Sequence, residues 1–221
     1  MRNLSLILAI LCFAACKQDE TPSSKKLYPD NSKLVTLKLI DSLGFITCSI
    51  PNLYDTFFHW TNRSDCGKPC EHEEYRFQPR NVNITKESGF ICNCEPKDSV
   101  ERFTIRHSGW FEFRDSTDSN YIKKYHSVKK EGLMNDPATH NRIKSDTIEK
   151  INDRYFSIVI IDGYISETSQ YLKKVLSSTT IRSNKIDFNY ELLTKKKDSI
   201  TDHFIENSIR LIRTIEISNG I

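Results

Sequence analysis

Apolar residues recur at every second position along much of the chain that follows Lys33. In residues 35–39 valine and leucine alternate with polar side chains, and in residues 46–50 isoleucine and cysteine do so. A period of two places successive side chains on opposite faces of an extended backbone and is therefore typical of β-strands. Asp41, Ser42 and Gly44 lie between the two runs and favour a turn. We therefore predict a β-hairpin over this segment.

Six further segments indicate strands. Short ones are predicted around Tyr75 and Phe77, around Phe103 and Ile105, and around Phe111 and Phe113; longer ones are predicted over residues 143–151, 155–161 and 185–192. Residues 155–161 are apolar at almost every position, which favours a central strand that is covered on both faces.

Two segments have helical periodicity. Residues 120–133 are modestly amphipathic, and residues 199–217 place apolar side chains on one broad face. Ser199 and Asp202 fit a capping box at the start of the second helix. The predicted fold class is α+β: a largely antiparallel β-meander sheet packed by an amphipathic C-terminal helix, in a single domain over residues 33–221.

The composition excludes two broad classes of protein. Aromatic residues make up 10% of the 221 positions and charged residues 28%, which is normal for a folded chain and excludes wholesale disorder. The 32 basic and 29 acidic residues are evenly spread and give a net charge of only +3. This balance argues against nucleic acid as a partner.

The first segment of the chain is a separate unit. Arg2 is followed by twelve apolar or small residues, Leu4 to Ala15, and polar residues begin directly after Cys16. Twelve residues in a helix reach about 18 Å, whereas the hydrocarbon core of a bilayer is roughly 30 Å thick. The run is therefore too short to cross a membrane and is typical of a signal peptide, which we assign to residues 1–15.

The residues at the end of this segment resemble the lipobox of bacterial lipoproteins, with Phe13, Ala14 and Ala15 before Cys16. The resemblance implies cleavage before Cys16, a diacylglycerol thioether on its sulfur, and an acyl chain such as palmitate on the new amino terminus. Two or three acyl chains anchor a protein stably to a membrane. Residues 16–32 would then be the lipidated cysteine and a polar tether.

The residues just after Cys16 are similar to the surface-export signal of Bacteroidota lipoproteins. Lys17 is followed, after Gln18, by Asp19 and Glu20. The resemblance implies an outer-membrane lipoprotein of the cell envelope, with the bacterial surface as one location of the domain and the periplasm as the other.

Five Asp-Ser or Asp-Thr triplets are similar to the O-glycosylation sequon of exported Bacteroidota proteins. Their hydroxyl groups belong to Ser42, Ser99, Ser116, Thr147 and Ser199. The resemblance implies glycans at exposed members of this set. The alternative is that these pairs form turns and helix caps, which aspartate and serine also favour.

The cysteines leave three interpretations open. Cys12 would leave with the signal peptide and Cys16 would be lipidated, so five of the seven cysteines remain in the exported domain. Cys48 shares a strand face with Ile46 and Ile50, which predicts a buried free thiol.

The other four cysteines are Cys66, Cys70, Cys92 and Cys94. Two disulfides between the segments 66–70 and 92–94 are the main expectation, because an exported protein meets an oxidising environment. A zinc site made by the four thiolates is one alternative, although its ligand spacing is unusual. A redox-active dithiol is the other alternative.

The sequence motifs indicate a cellular location but do not indicate a reaction. A phosphate-binding loop, a dinucleotide fingerprint, a nucleophile elbow and a zinc-protease helix are all missing from the sequence. The prediction is a lipid-anchored envelope protein with a non-catalytic binding or structural domain, whose partner is a protein or a glycan. One alternative is a thiol or metal protein that uses Cys66, Cys70, Cys92 and Cys94. The other is an immunity or inhibitor lipoprotein that protects the envelope.

Overall fold

Two antiparallel sheets and two helices form the described part of the chain. The computed structural model describes residues 30–40, 43–67, 70–82, 99–108, 119–136, 139, 142–182 and 184–219. The strands are β1 (Ser32–Lys38), β2 (Gly44–Pro51), β3 (Thr56–Asn62), β4 (His72–Gln78), β5 (Val100–Ser108), β6 (Ile143–Ile151), β7 (Arg154–Ile165), β8 (Gln170–Ile181), β9 (Asn184–Thr194) and β10 (Glu216–Asn219). The helices are α1 (Ser119–Asn135) and α2 (Ser199–Ile212).

The larger sheet has seven strands in the order β3-β4-β5-β9-β8-β7-β6. Strands β3 to β5 form one meander and β6 to β9 form another, and the pairing of β5 with β9 joins them. Tight turns connect the strands of the second meander. Asn152, Ser169 and Arg182 in these turns have positive φ angles of 53°, 55° and 47°. Such left-handed turn residues let consecutive antiparallel strands lie side by side.

The smaller sheet brings the two ends of the described chain together. Its order is β1-β2-β10, with Ile46 of β2 opposite Leu37 on one side and Ile217 on the other. Thr214, just before β10, accepts a hydrogen bond on its hydroxyl from the Ser49 backbone N–H at 2.8 Å. The chain after α2 is therefore tied to the middle of β2.

The hydrophobic core contains residues of both sheets and of α2. The larger sheet contributes a stacked row that includes Phe103 and Tyr190, whose ring centroids are 4.2 Å apart. Ile46 and Ile50 of the smaller sheet are fully buried in the same cluster. Phe204, Leu211 and Ile212 of α2 also belong to it. Burial of this apolar surface is the main force that holds these elements together.

α1 lies against the other face of the larger sheet through polar contacts. His126 lies 2.8 Å from the Ser157 hydroxyl and 3.0 Å from the Asp146 carboxylate. Lys129 donates to the Ser178 hydroxyl at 3.0 Å. Ser157 and Ser178 are both fully buried, so these bonds satisfy polar groups that water does not reach.

The predicted fold class is confirmed at the level of a mostly antiparallel β protein with helices. The residues predicted as strands around Tyr75, around Phe103 and over 143–151, 155–161 and 185–192 lie in β4, β5, β6, β7 and β9. The predicted β-hairpin corresponds to β1 and β2. The strands form two sheets rather than one: β1, β2 and β10 pair with one another in a sheet that is separate from the other seven strands. The strand predicted at Phe111 and Phe113 lies outside the described residues.

The second predicted helix begins at Ser199 as expected, but its N-cap and its C-terminal end differ from expectation. The N-cap is Asp198 rather than Ser199, because the Asp198 carboxylate accepts a hydrogen bond from the Thr201 backbone N–H at 3.0 Å. The helix ends at Ile212 rather than 217. The apolar residues that continued the helical pattern, Ile215 and Ile217, instead lead into and lie in β10.

Neither described helix is long and apolar enough to cross a membrane.

Candidate functional site

Several predicted site residues lie outside the described part of the chain. They are Cys16, Cys92 and Cys94, together with Ser42 and Ser116. The lipid anchor, half of the cysteine set and two of the five sequons therefore remain predictions.

Cys66 and Cys70 form a disulfide with each other, with their Cα atoms 5.9 Å apart. The expected cross-links from these two cysteines to the 92–94 segment are therefore wrong. The reason is the local turn between β3 and β4, where Gly67 donates to Ser64 O at 2.9 Å and Cys70 donates to Gly67 O at 3.0 Å. A positive φ of 79° at Gly67 completes this turn and brings the sulfurs together.

The disulfide also bears on the two alternatives that require free thiols at these cysteines, the zinc site and the redox-active dithiol. A metal-binding cysteine must be a thiolate, and disulfide sulfurs are not. Cys66 and Cys70 thus supply no zinc ligands in this state. Among the described residues, no group of three or more histidine, cysteine, aspartate or glutamate side chains has the arrangement of a metal site.

Cys48 lies in the core of the smaller sheet. It is a free cysteine, and its side chain is 1% exposed. Burial raises the pKa of this thiol to about 12. A thiol that is both inaccessible and protonated is chemically inert, so Cys48 contributes packing and no chemistry.

The described sequon residues Ser99, Thr147 and Ser199 are all exposed. Their preceding aspartates differ in role. Asp198 caps α2, which is the alternative that the Asp-Ser pattern left open at Ser199. Asp146 pairs with Lys130 at 2.9 Å and with His126 at 3.0 Å. Exposure satisfies one requirement for glycosylation at these three hydroxyls.

A groove of roughly 570 Å³ lies along α2. Its walls come from the start of β1, the turn after β2, the start of β5, Tyr190 of β9 and one side of α2 along most of its length. Leu53 and Ile200 stand at its mouth and are 47% and 48% exposed. Tyr54 and Phe204 form deeper parts of the wall and are buried. Concave apolar surfaces with a few polar groups are the usual form of a ligand site.

Glu101 is the acidic residue that the larger sheet contributes to this groove. It is half-buried and makes no hydrogen bond or ion pair with any described residue. Burial raises the pKa of its carboxyl group, and the negative charge of Asp198 raises it further. An unpartnered, partly desolvated carboxylate is a common mark of a functional site.

Other residues that line the groove also have a shifted pKa or a polar contact. Burial raises the pKa of Tyr54 well above its ordinary value, and the charge of Glu101 adds to this effect. Glu206 of α2 pairs with Arg210 one turn along the helix. Tyr190 donates from its hydroxyl to Ser49 O at 3.4 Å.

Ser178 and Lys129 are a second candidate for a reactive site, because a buried lysine beside a serine is one form of activated nucleophile. Burial lowers the pKa of Lys129 to about 8, although the Asp187 carboxylate opposes this change. Ser178, however, is fully buried, and its hydroxyl group donates a hydrogen bond to the Asp187 carboxylate at 2.6 Å. A substrate does not reach this hydroxyl, and the cluster therefore holds α1 on the sheet.

Adjacent acidic residues of β4 form a third arrangement. Glu73 lies 2.8 Å from His59 Nε2, and Glu74 accepts from Arg106 at 3.0 Å and from Arg76 at 3.2 Å. Adjacent residues of a strand point to opposite faces of the sheet. The two carboxylates therefore do not face a common substrate, and each has its own partners.

Comparison with protein-family models finds no match to this chain, and comparison with curated proteins finds none either.

Sequence reasoning missed the groove and Glu101, but the sequence does contain a signal for this residue. Glu101 has the same strand phase as Phe103 and Ile105, both of which are fully buried. A charged residue at the apolar phase of an alternating strand breaks the local pattern, and such breaks concentrate at functional sites. The walls contributed by α2 and by the turn after β2 have no comparable signal, because they meet β5 only in the folded chain.

Proposed function

We propose that this protein is a lipid-anchored component of a bacterial outer membrane whose domain binds a ligand without catalysing a reaction. The lipobox-like residues before Cys16 support the anchor. The proposed domain is a single α+β unit over residues 33–221 in which α2 covers the sheet. The presence of Phe204 and Leu211 in the core cluster supports this arrangement.

The observation that carries the binding function is the groove along α2. It combines exposed apolar residues at its mouth with an unpartnered carboxylate at Glu101. A catalytic nucleophile is typically activated by a base within hydrogen-bonding reach. None of the described residues makes such a bond to Glu101. Recognition of a ligand therefore fits this geometry better than catalysis.

Titration with 1-octanol, a neutral apolar probe, tests the binding function. The full chain carries Cys16→Ala so that it can be handled without detergent. We expect octanol to shift the backbone amide NMR signals of Leu53, Tyr54 and Ile200, because these residues line the groove. Leu53→Asp should weaken the affinity at least about fivefold, since it places a charge at the apolar mouth.

Leu34→Asp is the matched control. Leu34 is an apolar residue of β1 with 51% exposure, and the groove residues do not include it. This variant should bind octanol as the parent does. If octanol moves no groove signal in the parent, or if Leu53→Asp and Leu34→Asp behave alike, the groove is not a binding site and the proposal is wrong.

A further inference from the structure

The buried acidic residues elsewhere in the described chain have cationic or hydroxyl partners. Glu74 is paired with Arg76 and Arg106, and Asp187 with Lys185. Glu191 is held between Arg102 and Lys174. This pairing is expected, because a desolvated charge without a partner is unfavourable. Glu101 has no such partner among the described residues, which leaves a place for a cation from outside.

The carboxylates that line the groove, Asp30, Glu101 and Glu206, outnumber its single arginine, Arg210. Asp198 is close enough to raise the pKa of Glu101, and Asp30 and Glu206 also line or border the space. Arg210 is the arginine of the described lining, and it already pairs with Glu206. Low-dielectric walls concentrate the field of such charges and attract ligands of opposite charge.

The partial positive charge at the start of α2 does not reverse the preference of the groove for a cation. A helix N-terminus carries partial positive charge and by itself favours anions. Here the Asp198 carboxylate already occupies that position and accepts the Thr201 N–H at 3.0 Å. A second anion in the groove would lie beside both Asp198 and Glu101, which like-charge repulsion disfavours.

The rest of the groove selects an apolar body for the ligand. Leu53 and Ile200 at the mouth and Tyr54 and Phe204 deeper in the wall present hydrocarbon and aromatic surface. Covering exposed apolar side chains is favourable in proportion to the area removed from water. A small inorganic cation would leave this surface uncovered.

We propose that the groove takes an amphipathic amine, whose ammonium group pairs with the Glu101 carboxylate while its apolar body lies against Leu53, Tyr54 and Ile200. This inference rests on the proposed function, since it names the chemistry of the ligand for the same groove. It assigns Glu101 as the residue that determines specificity.

Three probes of equal chain length test the inference: octylamine, 1-octanol and octanoate. At pH 7 the amine is protonated and octanoate is ionised. In the Cys16→Ala chain we expect octylamine to bind about tenfold more tightly than octanol and octanoate to bind most weakly, as read from the Leu53 and Ile200 amide shifts. Glu101→Gln should abolish the difference between amine and alcohol, because it keeps the shape and removes the charge.

Glu131→Gln is the control variant, since Glu131 is an exposed acid on α1 that does not line the groove. It should keep the tenfold preference. Equal binding of amine and alcohol, or tighter binding of octanoate, overturns the cation assignment while octanol binding leaves the proposed function intact. Failure of all three probes to shift groove signals overturns the proposed function itself. The comparison within the parent chain decides even if Glu101→Gln does not fold.

Discussion

Two glutamates of neighbouring strands show how environment alone sets the behaviour of a carboxylate. Burial raises the pKa of Glu101 and the charge of Asp198 adds to it. Burial alone would also raise the pKa of Glu191, but Arg102 and Lys174 together lower it to about 2. Glu191 therefore stabilises the fold through its pairing, whereas Glu101 has no such partner among the described residues.

Glu191→Gln should lower the free energy of unfolding by about 2 kcal/mol at pH 7, because it leaves two half-buried cations without their shared anion. The folded pKa of Glu191 lies below its ordinary value of 4.5, so its stabilisation is present above pH 4.5 and is lost as the pH falls towards 2. Urea denaturation of the parent and the variant at several pH values measures this difference.

The difference in stability between the two proteins should accordingly narrow below pH 4.5. Glu131→Gln, at an exposed site on α1, should leave the unfolding curve unchanged at every pH. A Glu191→Gln variant as stable as the parent at pH 7 would show that the ion pairs contribute nothing net.

At the scale of elements, α2 links the core to the groove. Phe204 and Leu211 belong to the buried cluster, while Ile200 stands at the groove mouth. The position of the first turn is set by Asp198, whose carboxylate accepts the Thr201 N–H. A shift of this turn would move both the mouth of the groove and the negative charge beside Glu101.

Asp198→Ala should lower the stability of the protein, because the helix loses its N-cap. Asp198→Asn should keep most of that stability, since an asparagine oxygen accepts the same hydrogen bond without the charge. Thermal unfolding of both variants separates the cap from the charge. If alanine and asparagine destabilise the protein equally, the charge of Asp198 and not its capping bond carries the effect.

Strand prediction succeeded where the pattern is local and failed where burial depends on partners. The alternation over 185–192 indicated β9, which covers Asn184–Thr194. β8 was missed because it contains a polar run, 177–180, that the fold buries. Thr179 donates to Tyr155 O at 2.8 Å and Ser178 donates to Asp187, so partners on other elements make that burial possible.

At the scale of the whole molecule, the described chain enters the fold beside the groove. Asp30 and Ser32 line it. Fourteen positions separate Asp30 from Cys16, a span of at most about 50 Å when fully extended. A lipid on Cys16 would therefore hold the groove within reach of the membrane surface, where amphipathic ligands concentrate.

If the protein is anchored as proposed, Cys16→Ala should release it from the outer membrane, because the acyl chains would have no attachment site. Incorporation of labelled palmitate and fractionation of membranes from a bacterial host measure the effect. Cys12→Ala is the control, since this cysteine lies inside the predicted signal peptide and should leave acylation unchanged. Unaltered labelling and distribution of Cys16→Ala would remove the basis for an anchored protein.

The sequence by itself determined those features whose cause lies within a few residues. These are the strand faces of β4, β5, β7 and β9, the body of α2, and the phase that gives Cys48 its buried position. Periodicity reports them because neighbouring side chains share one backbone geometry.

Only the tertiary structure decided the features that join distant segments. Ile217 lies in a strand rather than a helix because β2 offers backbone partners to it. Cys66 bonds to Cys70 because the β3–β4 turn brings the two together. Glu101 lies in a groove because α2 and the turn after β2 meet β5 there. Each of these outcomes depends on which surfaces come into contact, and that information is not local to any stretch of the chain.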